Sequence, residues 1–176
     1  DFKVIFWFEF FHRLLARLLG LWFALPLLWF WLRGAIPARL RWPLFGILAL
    51  GAAQGYMGWY MVKSGLVDIP RVSPYRLAAH LGLALLVYAL MLRVAIGLLL
   101  DRVPAADSST AQRWPRALLL VMVATTIGFG AFVAGLRAGH MYNTFPLMAG
   151  YWVPPGMAAM EPFWRNLFEN PVSVQF

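Results

Sequence analysis

Of the 176 residues 62% are hydrophobic and only 12% charged, whereas soluble domains carry about 45–50% apolar and about 25% charged residues. That balance excludes a water-soluble globule and defines an all-α integral membrane protein. The net charge of +8 does not point to nucleic acid, because the cations stand singly at the ends of apolar runs, where they anchor spans in a membrane.

No cysteine is present, which excludes disulfides and thiolate metal ligation within the chain and leaves the redox compartment open. The chain opens on Asp1 with neither an initiator methionine nor a basic leader, so the expectation is a piece of a longer protein. Uncharged windows cover residues 18–32, 42–62 and 117–136, and residues 77–92 are interrupted by His80 alone. Each approaches the roughly 20 residues that cross about 30 Å of hydrocarbon, so four transmembrane helices are expected.

The first span is predicted over residues 2–32, with Pro26 kinking its later half and Arg33, Gly34 and Pro37 ending it. The second begins at Trp42-Pro43, with proline in the first turn where its missing N–H costs little, and stops at Lys63-Ser64-Gly65. Gln54, Gly55 and Gly58 lie on adjacent turns of its far half. There a flat ring could approach the backbone, and a seam between packed helices is the competing reading.

A non-helical connection over residues 67–74 contains Pro70 and Pro74. The third span runs from about Tyr75 to Leu100 and stacks Arg76 and His80, four residues apart, on one face. Residues 101–112 read as a hydrophilic loop, and residues 113–138 as the fourth span, in which Thr125 and Thr126 bond back to helix carbonyls or pack against a neighbour. Residues 139–176 read as a structured interfacial loop with a short amphipathic helix over 161–169. Lysines and arginines divide almost evenly between the two sides, so charge does not orient the chain.

The chemistry concentrates in Glu9-Phe10-Phe11-His12-Arg13. On a helix Glu9 and His12 share a face, and ionisable groups inside membrane spans usually mark function. Counting spans places His12 and His80 near the entry ends of parallel helices, at similar depth. They are the candidate axial ligands of a heme iron, a role that neutral imidazole fills well. Histidines that only bond neighbouring carbonyls are the competing reading. Glu9 in an apolar pocket would have its neutral form favoured and could exchange a proton; the alternative is a structural ion pair with Arg13. Arg76 is placed to meet a heme propionate or, alternatively, to anchor the interface. His140, behind a glycine in the interfacial segment, reads as structural.

Five ordered stretches carry a family resemblance: residues 9–13, 54–66 (QGYMGWYMVKSGL), 73–81 (SPYRLAAHL), 138–148 (AGHMYNTFPLM) and 166–176 (NLFENPVSVQF). Together they resemble heme A synthase, most of all its alphaproteobacterial and mitochondrial branch. The resemblance implies an oxidoreductase that converts the C8 methyl of heme O to the formyl of heme A for cytochrome oxidase, in successive two-electron steps through an alcohol. It also implies eight transmembrane helices in two four-helix halves. Residues 1–100 would be three helices of the N-terminal half, lacking the family's first helix, and residues 113–138 the first helix of the second half.

The family's first-half histidines correspond to His12 and His80 and its glutamate to Glu9, while Arg13, Gln54, Gly55 and Arg76 would touch the substrate heme. A heme b cofactor would take its histidines from outside this chain. The implied partners are heme O, membrane lipids, heme O synthase and cytochrome oxidase assembly factors, with a homo-oligomer admitted and nucleic acid excluded. The implied location is the bacterial inner membrane, or the mitochondrial inner membrane in a eukaryote. Two other classes compete: a cytochrome b-like electron-transfer protein and a helical scaffold without chemistry. A transmembrane wire needs a second histidine about 13 residues along each ligating helix, at 1.5 Å per residue. Neither histidine-bearing span has one.

Overall fold

The computed structural model describes residues 2–65, 72–100 and 110–176. Four long helices form in chain order, α1 (Phe2–Leu32), α2 (Ala38–Gly65), α3 (Pro74–Leu99) and α4 (Thr110–Leu136), and a short α5 (Pro171–Gln175) ends the chain. Single 3-10 turns occupy Ala138–His140 and Phe163–Leu167. Among the described residues three stretches are long and apolar enough to cross a membrane: Lys3–Leu32, Pro74–Leu99 and Gln112–Leu136.

α2 has the length of a span, at 28 residues, but not the apolar content. Gln54, the glycines at 51, 55 and 58 and the aromatic pair Trp59-Tyr60 dilute its second half. The expectation of four spans is therefore met by three helices on composition, with α2 as a fourth long helix of mixed character.

Backbone contacts divide the chain into two compact units, Asp1–Tyr60 with Leu83–Val103, and Met61–Gly82 with Pro104–Phe176. In the first, α1 has the predicted bounds and runs through Pro26. It ends in a Schellman motif: the Gly34 N–H donates to Trp31 O at 2.9 Å and the Ala35 N–H to Phe30 O at 3.0 Å. Gly34 supplies the left-handed conformation this needs, at φ +65°.

α2 starts at Ala38, four residues before the expected Trp42. Pro37 fixes the entry and accepts the Leu40 N–H at 2.9 Å, so Pro43 falls in the second turn and leaves Arg39 O without its helical donor. The α1–α2 corner holds the buried side chains Leu27, Ile36 and Ile47. There Trp31 meets Phe45 edge to face at 4.6 Å.

In the second unit α3 begins at Pro74, where a first-turn proline loses no bond. α4 begins at Thr110 and ends at Leu136, so residues 110–112 join the helix instead of the expected loop. Residues 101–109 and 66–71 lie outside the described part. Arg137 takes the left-handed conformation, φ 56°, and stops α4 two residues before the expected Ala138, which is fully buried in the 3-10 turn that follows. Thr126 Oγ1 donates back to Met122 O at 2.8 Å, the local bond expected of it.

The C-terminal segment is not an amphipathic helix over 161–169. Instead Asn166, buried at 2% exposure, organises a polar knot. Its Nδ2 donates to Met160 O at 2.8 Å and Phe163 O at 3.0 Å, and its Oδ1 accepts from Met160 N and from Asn170 Nδ2. Those bonds satisfy carbonyls that a regular helix would have used internally. Asn170 Nδ2 also donates to Gly156 O at 2.7 Å, while its Oδ1 caps α5 by accepting the Val172 N–H at 3.0 Å, with Pro171 in the first turn. Gln175 closes the segment by accepting from Tyr142 N and donating to Tyr142 O.

A Cβ added at Gly135 would lie 2.8 Å from Pro74 Cα, whereas one at Gly46 would meet nothing within 4 Å. Gly135→Val is therefore expected to cost about 1–3 kcal/mol through overpacking, and Gly46→Ala to stay within about 1 kcal/mol of wild type. Thermal melts followed by circular dichroism in detergent check both. A wild-type midpoint for Gly135→Val would show that α3 and α4 do not pack closely at that glycine.

Candidate functional site

α1 is continuous through residues 9–13, so Glu9, His12 and Arg13 share one face, with His12 exposed. The structure brings Glu9 and Arg13 together: Arg13 Nη2 donates to Glu9 Oε2 at 2.5 Å, with the side chains 48% and 58% exposed respectively for Arg13 and Glu9. The carboxylate is thus more than half exposed and is taken by the guanidinium one turn on. That is the structural ion pair weighed against proton chemistry, and it holds Glu9 beside His12. A cleft of about 240 Å³ runs along the same stretch between Phe6, Phe10, Arg13 and Arg17.

Gln54 is half-buried on α2, and Gly55 beside it leaves open space where a side chain would stand. Both belong to the first unit, with Glu9, His12 and Arg13. Arg76 and His80 lie in the second, half-buried one turn apart on α3, and the His80 Nδ1 is shielded from solvent. Gly82, two residues further, is also open. His140, itself exposed, ends the 3-10 turn that begins at the buried Ala138.

Sequence reasoning missed a second polar constellation. Tyr75 Oη donates to Glu169 Oε1 at 2.9 Å, and Arg165 grips Glu169 Oε2 through Nε at 2.8 Å and Nη2 at 2.6 Å. Phe168 stacks on Phe129 at 6.2 Å and meets Phe132 at 5.3 Å, and Phe132 meets Tyr75 edge to face at the same distance. The bonds from Arg165 and then from Tyr75 hold the Glu169 carboxyl below the usual carboxylate range. Arg165 and Glu169 at i, i+4 were a visible signal, but Tyr75 is 94 residues away from Glu169. The Asn170-Pro171 pair was likewise a readable cap-and-first-turn signature.

Long apolar helices carrying sparse histidines and arginines define a multi-pass membrane protein of the all-helical class. The chain belongs to the cytochrome oxidase assembly protein family, whose model matches residues 1–176. It is 53% identical over 176 residues to a heme A synthase of Agrobacterium fabrum, a match covering 100% of this chain and 48% of that protein. Heme A synthases of Nitrosospira multiformis and Rhodospirillum centenum are 51% and 48% identical, each over 100% of this chain and over 50% and 47% of the relative. The chain spans about half the length of these curated relatives. No solved structure matches it.

The lowered titration of Glu169 has a direct consequence for stability. A carboxyl whose folded value lies below its unfolded one contributes fully above the ordinary carboxylate range, near pH 4.3. That contribution is lost as pH falls through the folded value. Melts from pH 7 down to pH 3 are expected to fall more steeply for wild type than for Glu169→Gln, which has no proton to take up there. Parallel curves for the two proteins would remove Glu169 from the pH dependence.

Proposed function

We propose that the full-length protein, of which this chain is about half, is a heme A synthase: an oxidoreductase that converts the C8 methyl of heme O to the formyl of heme A. The observation that carries this reading is the match along the whole chain, at about half identity, to relatives bearing that name. The chain then supplies α1–α4 as four spans of an eight-helix protein built of two four-helix halves. It lies in the bacterial inner membrane, or the mitochondrial inner membrane in a eukaryote.

His12 and His80 would hold the iron of the substrate heme. The donor set suits that role, because a porphyrin supplies its own nitrogens to the iron and two neutral imidazoles would complete its ligation. Among the described residues no group of three or more His, Cys, Asp or Glu is gathered that could hold a bare metal ion. The open space at Gly55 and Gly82 leaves room for a flat ring against either backbone. A bound heme would supply the redox chemistry of its iron.

This chain's own residues bind, orient and carry charge. Arg13 steadies the Glu9 carboxylate, and Glu9 takes or returns a proton at the edge of the macrocycle when that pair opens. Arg76, one turn from His80, meets a propionate, the anion a guanidinium fork fits, and Gln54 lines the ring. The heme b cofactor is held by histidines of the other half. Heme O synthase and cytochrome oxidase assembly factors are the partners that deliver substrate and receive product.

Purified full-length protein separates this from electron transfer and from a bare scaffold. His12→Ala and His80→Ala are each expected to lower the Soret band of the substrate heme. Glu9→Gln is expected to keep that band while heme A in pigment extracts drops at least tenfold, an effect in the range of lost general acid–base catalysis. Full conversion by Glu9→Gln would reject its assigned role, and unchanged spectra in both histidine variants would reject the site.

A further inference from the structure

The corner between α1 and α2 carries a feature that heme chemistry does not use. A pocket of about 220 Å³ opens there between Trp31, Gly34, Ile36 and Arg41, roughly the space of seven water molecules at about 30 Å³ each. It sits at the end of the apolar stretch Lys3–Leu32, hence at a membrane surface. Arg41 is held in place on two sides: its Nε donates to Ile36 O at 3.2 Å, and its guanidinium carbon lies 5.7 Å from the Trp31 ring centroid. That bond uses one of five donors and leaves the paired Nη groups for a bidentate contact. Arg33 is stacked over Trp29 at 4.5 Å, and Arg39 stands in the first turn of α2.

Among the described residues no carboxylate forms an ion pair with any of these three cations. The sequence has no acidic residue between Glu9 and Asp68, and among the described residues the carboxylate ion pairs join Arg13 to Glu9 and Arg165 to Glu169. Cations that serve only as anchors can stay mobile and hydrated. Here Arg41 is pre-positioned beside Trp31 in a concavity lined by the apolar Ile36, and Arg33 is stacked on Trp29 a few residues away, at the depth where a lipid places its phosphate.

We infer that the Trp31–Gly34–Ile36–Arg41 pocket is a binding site for the headgroup phosphate of an anionic phospholipid. Arg41 takes the phosphodiester through its guanidinium fork, Arg33 and Arg39 supply the surrounding positive field, and Trp31 and Ile36 meet the ester region. A lipid of net negative charge is selected over a zwitterionic one because the described residues at the corner are cationic and apolar, with no carboxylate among them to receive a choline or ethanolamine cation.

The test uses full-length protein in dodecylmaltoside micelles, titrated with phosphatidylglycerol or phosphatidylcholine and read by native mass spectrometry as lipid retained. Wild type is expected to bind phosphatidylglycerol about tenfold more tightly than phosphatidylcholine. Arg33→Gln/Arg41→Gln is expected to lose that preference, while Arg113→Gln/Arg116→Gln, which removes the same charge from the start of α4, keeps it. Arg33→Gln alone removes no hydrogen bond and is expected to weaken phosphatidylglycerol about threefold, so the inference stays open to refutation if the double variant does not fold. Equal loss in the two double variants, equal affinity for the two lipids, or wild-type affinity in Arg33→Gln would overturn it. Displacement of phosphatidylglycerol by millimolar inorganic phosphate would also overturn it, by making the site one for free phosphate.

Discussion

Hydrocarbon offers a polypeptide no hydrogen bonds, so each peptide N–H and C=O that crosses it must be satisfied inside its own segment. That constraint decides the form of this chain. It explains why residues 2–32, 74–99 and 110–136 are unbroken helices and why irregular backbone gathers after Leu136. It also explains why the long helices expose their leucines and tryptophans: α3 has no buried residue at all. In water such a surface would collapse, whereas against lipid tails and further helices it has no reason to.

The same medium makes each polar group on a long helix costly and therefore informative. Glu9 is held by Arg13 one turn away, so α1 carries a neutralised pair beside His12 instead of a bare charge. On α2 the cost shows as a helix whose second half is too polar and too glycine-rich to be recognised as a span by composition. That is also the stretch where a ring could lie against backbone. Arginines at the helix ends keep their charge in the headgroup region, and at the α1–α2 corner indole rings hold two of them in place.

Beyond α4 the problem is solved differently. The irregular chain turns the carbonyls of Gly156, Met157, Met160 and Phe163 away from helical donors, and the amides of Asn166 and Asn170 donate to them. Two asparagines thereby do for a loop what i to i+4 bonding does for a helix. A fully satisfied polar network fixes one conformation, since any slip leaves a buried donor or acceptor unmet. Tyr75, Glu169 and Arg165 tie that segment to the start of α3.

The sequence by itself determined the membrane class and the positions of the long helices, and it singled out His12, His80 and Glu9 as the candidates for heme chemistry. Apolar runs, prolines, glycines and isolated ionisable groups act within a turn or two of themselves, and α1 fell on its predicted bounds for that reason. Local signals were weaker at helix starts, where α2 began at Ala38 and α4 at Thr110, earlier than the expected Trp42 and residue 113. Only the tertiary structure decided that Glu9 is paired and exposed, and that Asn166 and Asn170 replace an amphipathic helix. It also decided that Tyr75 reaches Glu169 and that Gly135 admits Pro74. Each depends on groups brought together across a fold, and residue type along the chain does not encode which distant partner will satisfy a polar atom or fill the space beside a glycine.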